Sequence, residues 1–230
     1  MLTAITGGSG SGKTTLARAL CRALPGGCAT LVSEDWYYRD TAALPGFDAA
    51  TFDFDGVAAR DHALLAVHLR ALKAGERVTA PVYSFVTHRR LADAGTPVAP
   101  APVVVVEGSH LLSDPALAGL FDLRVYVQVA DDVRFIRRLL RDRAERGRTT
   151  ESVVGQYLAT VRPAHHRFTE PARAAADLVI DDRSAAVDQP DARAVADLIA
   201  PILAHPLLRS FLSSCEATGA RAQLGSGSAG

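Results

Sequence analysis

Gly7, Gly8, Ser9, Gly10, Ser11, Gly12, Lys13 and Thr14 satisfy the pattern G-x-x-x-x-G-K-[ST], the arrangement by which a backbone wraps a chain of phosphates. Glycines let successive N–H groups curl around phosphate oxygens, and a following helix adds the partial positive charge of its N-terminus. Lys13 then reaches the outer phosphate oxygens and the Thr14 hydroxyl can ligate Mg²⁺, with Thr15 counted in the same cradle. The pattern has this meaning only between a strand and a helix. Leu2 to Thr6 is an apolar run, and Leu16, Ala17, Leu20 and Leu24 recur at helical spacing until Pro25 and Gly26. A nucleotide phosphate donor is expected.

Several classes of phosphate chemistry use such a loop. A guanine-reading switch needs an N-K-x-D segment, and this chain contains no asparagine. ATPases and motors usually need a larger chain and a partner arginine, so transfer to a small molecule is the leading expectation. Asp35 lies just past a second apolar run, Ala29 to Val32, where it would face the phosphate loop as a general base; the other reading is a turn or N-cap aspartate. Glu107 ends the run Val103 to Val106, placed to hold Mg²⁺ directly or through water, or to be a solvated strand end. Arg137, Arg138, Arg141, Arg146 and Arg148 crowd one helix and the turn after it, with 137 and 141 on one face at i,i+4. A solvated face or a nucleic-acid stripe is one reading; a lid that clamps phosphates and stabilises transition-state charge is favoured.

The elements that position these residues alternate. Four consecutive valines, and then Leu123 to Val129, read as strands buried on both faces of a parallel sheet. Helices are expected over about 57–73, 131–146, 149–168 and 191–203, and a last strand at 178–180. Arg77 to Val86, with Pro81, Tyr83 and Phe85, suits a hairpin or edge ribbon. The fold class is thus α/β, a three-layer α/β/α arrangement with a mostly parallel sheet, an acceptor hairpin at about 77–90 and an arginine-rich lid at about 137–150. One domain is expected over residues 1–207, followed by a flexible tail over 208–230.

Composition agrees with an independently folding chain. It has 230 residues, 48% hydrophobic and 22% charged, with zero formal net charge, so no overall field draws it to nucleic acid or anionic membrane. Three cysteines, Cys21, Cys28 and Cys215, make neither a C-x-x-C pair nor an even set, which argues against a disulfide framework and a zinc site. With no signal-like start and no long apolar run, a cytoplasmic location is the expectation.

Read together, these segments resemble the uridine kinase (uridine-cytidine kinase) family, from Gly7 to about Ile180. The likeness is carried by SEDWYYRD, PVYSFVTHRR, VVVVEG, RRLLRDRAERGR and VVGQYLATVRPAHHRFTEPARAAADLVI, besides the glycine loop. The resemblance implies an ATP-dependent kinase of the P-loop NTPase fold, with GTP open as a donor and Mg²⁺ as cofactor. It would phosphorylate the 5′-hydroxyl of uridine or cytidine, working as a homo-oligomer in pyrimidine salvage. It implies Asp35 as the base, with Lys13 and Arg141 acting on the transferred phosphate and Arg146 on the nucleotide. Asp55 would hold the ribose, assisted by Arg138 and Gln156; Tyr83 and His88 would read the pyrimidine edge, Phe85 would pack on its ring, and Arg148 would close the site. Taken singly, Tyr83 and Phe85 also read as hairpin core and His88 as a surface turn.

The chain departs from that pattern. Where the family has F-D-H-P-D-A-F-D, Phe54 to Asp61 keeps the first aspartate and loses the His-Pro-Asp. Trp36, Ser84, Arg173 and the run EGSHLL also differ. Two alternatives stay open: a related kinase with another acceptor (phosphoribulokinase-, pantothenate- or ribosyl-nicotinamide-kinase-like), and a non-catalytic nucleotide-binding regulator.

Overall fold

The computed structural model describes residues 1–41, 47, 52–183 and 191–225, with side chains through Cys215. In chain order the elements are β1 (Leu2–Gly7), α1 (Lys13–Ala23), β2 (Ala29–Ser33), α2 (His62–Lys73), β3 (Val78–Ser84), β4 (Arg89–Val98), β5 (Val103–Gly108), α3 (Pro115–Ala118), β6 (Leu123–Gln128), α4 (Asp131–Arg146), α5 (Thr150–Gln156), α6 (Arg162–Ala164), β7 (Leu178–Asp181), α7 (Ala192–Leu203) and α8 (Pro206–Gly225).

Five strands form one parallel sheet in the order β2-β5-β1-β6-β7. The valine run explains the layers. Val104 and Val106 pack on one face with Leu65, Leu69 and Leu72 of α2, while Val103 and Val105 pack on the other with Leu16 and Leu20 of α1 and Ile199 and Ile202 of α7. Strand periodicity sends alternate side chains to opposite faces, so only a run apolar at every position satisfies both. Connections from β1 and β5 leave the sheet in opposite directions, which opens a crevice at the carboxyl ends of these neighbouring strands.

Strands β3 and β4 form a separate antiparallel ribbon, bulged between Pro81 and Tyr83 and running on to Val98, further than the expected hairpin. Pro81 has no N–H to give a ladder, and a two-stranded ribbon tolerates it.

Three expectations are corrected. The helix expected from about residue 57 begins at His62: Val57–Ala59 is a single 3₁₀ turn, and the Asp61 side chain caps α2 by accepting from the Leu64 N–H at 3.1 Å. The helix expected over 149–168 runs without a break from Thr150 to Thr169 but is not α throughout: two π turns, Tyr157–Val161 and His165–Thr169, flank Pro163, which lacks a helical donor. Finally, the tail expected from residue 208 starts inside the core. Leu208 is fully buried and Phe211 and Leu212 pack beside it, because α8 lays its first turns on the α1/α7 face. Among the described residues no single helix is long and apolar enough to cross a membrane.

Candidate active site

The glycine loop joins β1 to α1 as the motif requires. Gly12 caps α1 at φ +82°, and Gly10, at φ +81°, lies so close to the Arg134 carbonyl that a Cβ would run into it; only glycine fits both positions. Arg134, buried on α4, spans from the Val129 carbonyl to Asp131 behind the loop. Burial lowers the pKa of Lys13, and the charges of Glu107 and Asp35 oppose that shift. Thr15 is exposed beside half-buried Thr14.

The first turn of α1 and the end of β2 supply the partners of Glu107. Thr14 donates its hydroxyl to Glu107 Oε2 at 3.0 Å and Ser33 donates to Oε1 at 2.6 Å. Parallel register puts Ile5 and Ser33 on either side of Glu107. Burial raises the Glu107 pKa, with Asp35 adding to the effect and Lys13 and the two hydroxyls opposing it. Thr14 and Glu107 offer hard oxygen donors to one point, the chemistry that suits Mg²⁺. Among the described residues no group of three or more His, Cys, Asp or Glu could cage a metal by itself. A cation there would complete its shell with phosphate oxygens and water, as Mg²⁺ commonly does.

Asp35 follows in the same turn. Its N–H bonds the Ser33 hydroxyl at 3.3 Å, and its half-exposed carboxylate lies 3.9 Å from Arg60. Glu34 points the other way, fully buried, bonded by His62 at 2.9 Å and by the N–H groups of Ser109 and His110 at 2.8 and 3.2 Å. Burial opposes its charge, but His62 and Arg60 overcome that and hold the Glu34 carboxyl down at about 2. Glu34 is thus the brace that fixes the end of β2 to the loop after β5, while Asp35 stays half exposed.

The acceptor side assembles from distant segments. Asp55 Oδ2 accepts from Gln156 at 3.0 Å and from Thr160 at 2.8 Å, and Oδ1 lies 3.7 Å from Arg138. Arg138 is buried, donating to Ser9 Oγ at 2.9 Å and to Gln156 Oε1 at 3.0 Å, so it touches the glycine loop and the Asp55 network at once. Arg148 bonds the same Gln156 oxygen. The ribbon brings Tyr83 onto Tyr38, stacked at 4.9 Å, with Phe85 edge-on to both, and it stacks His88 on Phe54 at 4.3 Å. His88 holds φ +56°, a sparsely populated conformation that the turn imposes. The Tyr83 hydroxyl and His88 Nδ1 are buried with no hydrogen-bond partner among the described residues.

The arginines of α4 sort by partner rather than by helical face. Asp142, fully buried, takes Arg141 at 2.8 Å and lies 3.5, 3.6 and 3.8 Å from Arg138, Arg146 and Arg148. Burial alone would raise its pKa; the arginines hold it below the usual range. Arg146 also sits 4.7 Å over the Phe85 ring, on the acceptor side. Arg137, expected to share the face of Arg141, instead pairs with Asp182 at 3.0 Å.

Of the residues expected from the sequence, the structure sets Asp35 near Lys13 and Glu107 and joins Asp55 to Arg138 and Gln156, with Tyr83 on the ribbon and Phe85 and His88 in its turn. Glu34, Arg60, His62, His110, Asp142 and Thr160, not expected from the sequence, join the same polar networks. A signal existed for two of them: Glu34 adjoins the expected base, and Asp142 is an acid set among five arginines.

The chain matches the family model described as phosphoribulokinase / uridine kinase over residues 2–188. It is 43% identical over 178 residues to a uridine kinase of Clostridium perfringens, covering 77% of this chain and 85% of that one. Among solved structures it resembles a putative fructose transport system kinase from Silicibacter sp. TM1040, with 27% identity, a TM-score of 0.63 and coverage of 78% and 88%. It also resembles phosphoribulokinase from Rhodobacter spheroides, with 22% identity, a TM-score of 0.59 and coverage of 78% and 69%, a likeness of fold.

Proposed function

The chain belongs to the phosphoribulokinase / uridine kinase family, and we propose that it transfers the γ-phosphate of ATP to the 5′-hydroxyl of uridine, accepting cytidine as well, to give the nucleoside monophosphate. The observation that carries this reading is the pair of buried, unpartnered polar atoms on the ribbon and its turn, Tyr83 Oη and His88 Nδ1, with His88 stacked on Phe54, the neighbour of the pinned Asp55. Buried polar groups rarely go unpaired. A pyrimidine supplies what is missing, a polar edge for the tyrosine and histidine and a flat face for Phe85, while its ribose hydroxyls meet Asp55. His88 can present a donor to O4 or an acceptor to N4, which accommodates both bases.

Asp35 accepts the proton of the 5′-hydroxyl as the oxygen attacks the γ-phosphorus. Lys13 and the backbone of the glycine loop carry the charge of the phosphates, and Arg141 and Arg138 approach from the lid; a loose transition state is served by placement and charge more than by a strong base. Thr14 and Glu107 would hold Mg²⁺, which supplies charge neutralisation at the β- and γ-phosphates. The nucleoside part of the donor has room in a cavity of about 440 Å³ beside the loop, lined by Val129, Arg134, His165, Arg173 and Asp182 among others. The reading includes a cytoplasmic enzyme that meets its nucleotide donor there, and a homo-oligomer, dimer or tetramer.

A coupled assay with ATP and Mg²⁺ across uridine, cytidine, adenosine, pantothenate and ribulose 5-phosphate tests it. Turnover confined to the two pyrimidine nucleosides is expected. Turnover with another acceptor and neither pyrimidine would overturn the acceptor assignment.

A further inference from the structure

Arg60 stands where the family pattern has phenylalanine, yet it is among the most enclosed charges in the molecule. Its side chain is 5% exposed. Nη1 donates to the carbonyls of Phe54 at 2.7 Å and Gly56 at 3.0 Å, the residues on either side of Asp55. Nη2 donates to the Tyr38 hydroxyl at 2.6 Å and lies 3.9 Å from Asp35 Oδ1, and the guanidinium sits 4.3 Å over the Tyr38 ring. The backbone follows the same route, through a bridge between Tyr38 and Arg60. One planar group thereby reaches the loop that carries Asp55, an aromatic of the acceptor cluster and the carboxylate of Asp35.

We propose that Arg60 is a positioning residue for phosphoryl transfer, tying the Asp35 carboxylate to the Asp55 loop so that base and ribose site keep one fixed separation. The inference rests on the acceptor reading above. Its chemistry is that of a fork: a guanidinium has donors enough to hold two carbonyls and a hydroxyl while still facing a carboxylate, and it stays charged when enclosed. Asp35 is otherwise half exposed, and its other charged neighbours, Lys13 and Glu107, are engaged with the phosphate loop and the Mg²⁺ position. The loop that lost its His-Pro-Asp acquires through Arg60 a different brace, joined by His110, whose Nε2 bonds the Asp55 carbonyl at 2.8 Å. Misplacing a base by an ångström costs rate rather than affinity, roughly 100-fold at the upper end.

The test compares Arg60→Met and Arg60→Lys with the unchanged protein, reading kcat, KM for uridine, KM for ATP and the melting temperature. For Arg60→Met we expect kcat to fall roughly 10- to 100-fold with KM for ATP unchanged and KM for uridine moved by less than that. Arg60→Lys should recover part of the rate, since it keeps the charge and loses the fork. Near-normal kcat in a folded Arg60→Met overturns the proposal, as does a loss confined to KM for uridine. If Arg60→Met does not fold, Arg60→Lys decides: a full rate would overturn it. Hydrogen exchange separates this idea from the acceptor reading. Faster exchange over both 35–38 and 54–58 in the unliganded variant supports the tie even if the unchanged protein proves inactive on pyrimidine nucleosides, and unaltered exchange in either segment counts against it.

Discussion

Gln156 Nε2 donates to Asp55 Oδ2 at 3.0 Å, joining side chains 101 residues apart. Thr160, one turn further along, donates to the same oxygen, while Gln156 Oε1 accepts from Arg138 and Arg148. A single amide therefore orients the Asp55 carboxylate and anchors Arg138 and Arg148. Gln156→Leu should raise KM for uridine about tenfold, the cost of one hydrogen bond to a charged group, and leave KM for ATP nearly unchanged. An equal rise in both constants in steady-state kinetics would show that Gln156 supports the fold and not the acceptor.

Asp35→Ala should bind ATP as the unchanged protein does, because the glycine loop and its Glu107 partner are untouched. Its turnover should fall roughly 10²- to 10⁴-fold, the usual contribution of a positioned general base. Calorimetric titration with ATP and single-turnover assays measure the two halves independently. Near-normal turnover would remove Asp35 from the role.

Asp142→Asn removes the charge that holds Arg138, Arg141, Arg146 and Arg148 together. Breaking a buried ion cluster from one side costs about 3 kcal/mol, which denaturant unfolding would register. Turnover should fall as well, since the arginines left behind repel one another and the lid loses its shape. A variant as stable as the parent would mean that the arginines are held by their hydrogen bonds to Ser9 and Gln156 instead.

Acid should weaken the fold in two stages. Burial, with Arg60 nearby, holds the His110 imidazole down to about 4, whereas the unfolded chain takes up that proton near 6.5. The unfolded state thus binds more protons between those values, and stability falls as pH drops through them. Glu34, held at about 2, works lower. Its contribution is complete above the ordinary carboxylate range and is lost as pH falls from about 4.5 toward 2. His165, which burial also holds down to about 4, adds to the first stage, and lowered carboxylates such as Asp142 add to the second, so His110→Asn should reduce the first stage in unfolding curves recorded between pH 7 and 4 and Glu34→Gln should reduce the second. A stability profile unchanged by His110→Asn would refute the assignment of the first stage.

The difference between Glu34 and Asp35 illustrates what could be read in advance. Both acids follow the same strand, and the expectation of Asp35 as the base rests on its place after that strand and on the family resemblance, neither of which describes what surrounds Glu34. Tertiary structure separates the two: His62 and the amides of Ser109 and His110 enclose Glu34, while Asp35 stays half exposed. The arginines of α4 pose the same problem: five similar side chains on one stretch are interchangeable by spacing, and Arg137 parts from the rest because Asp182 comes within reach.

What the sequence by itself determined is everything whose cause is local. A glycine loop between an apolar strand and an amphipathic helix, a valine run apolar on both faces, and a ribbon bearing Tyr83, Phe85 and His88 each follow from backbone freedom and side-chain periodicity within a few residues. Tertiary structure alone decided how far-separated polar groups pair: Glu107 between Thr14 and Ser33, Asp55 under Gln156 and Thr160, Arg60 across to Asp35. A buried polar group must find a partner, but many partners of equal chemistry lie along the chain, and which one arrives is settled by the packing of the sheet and its helices.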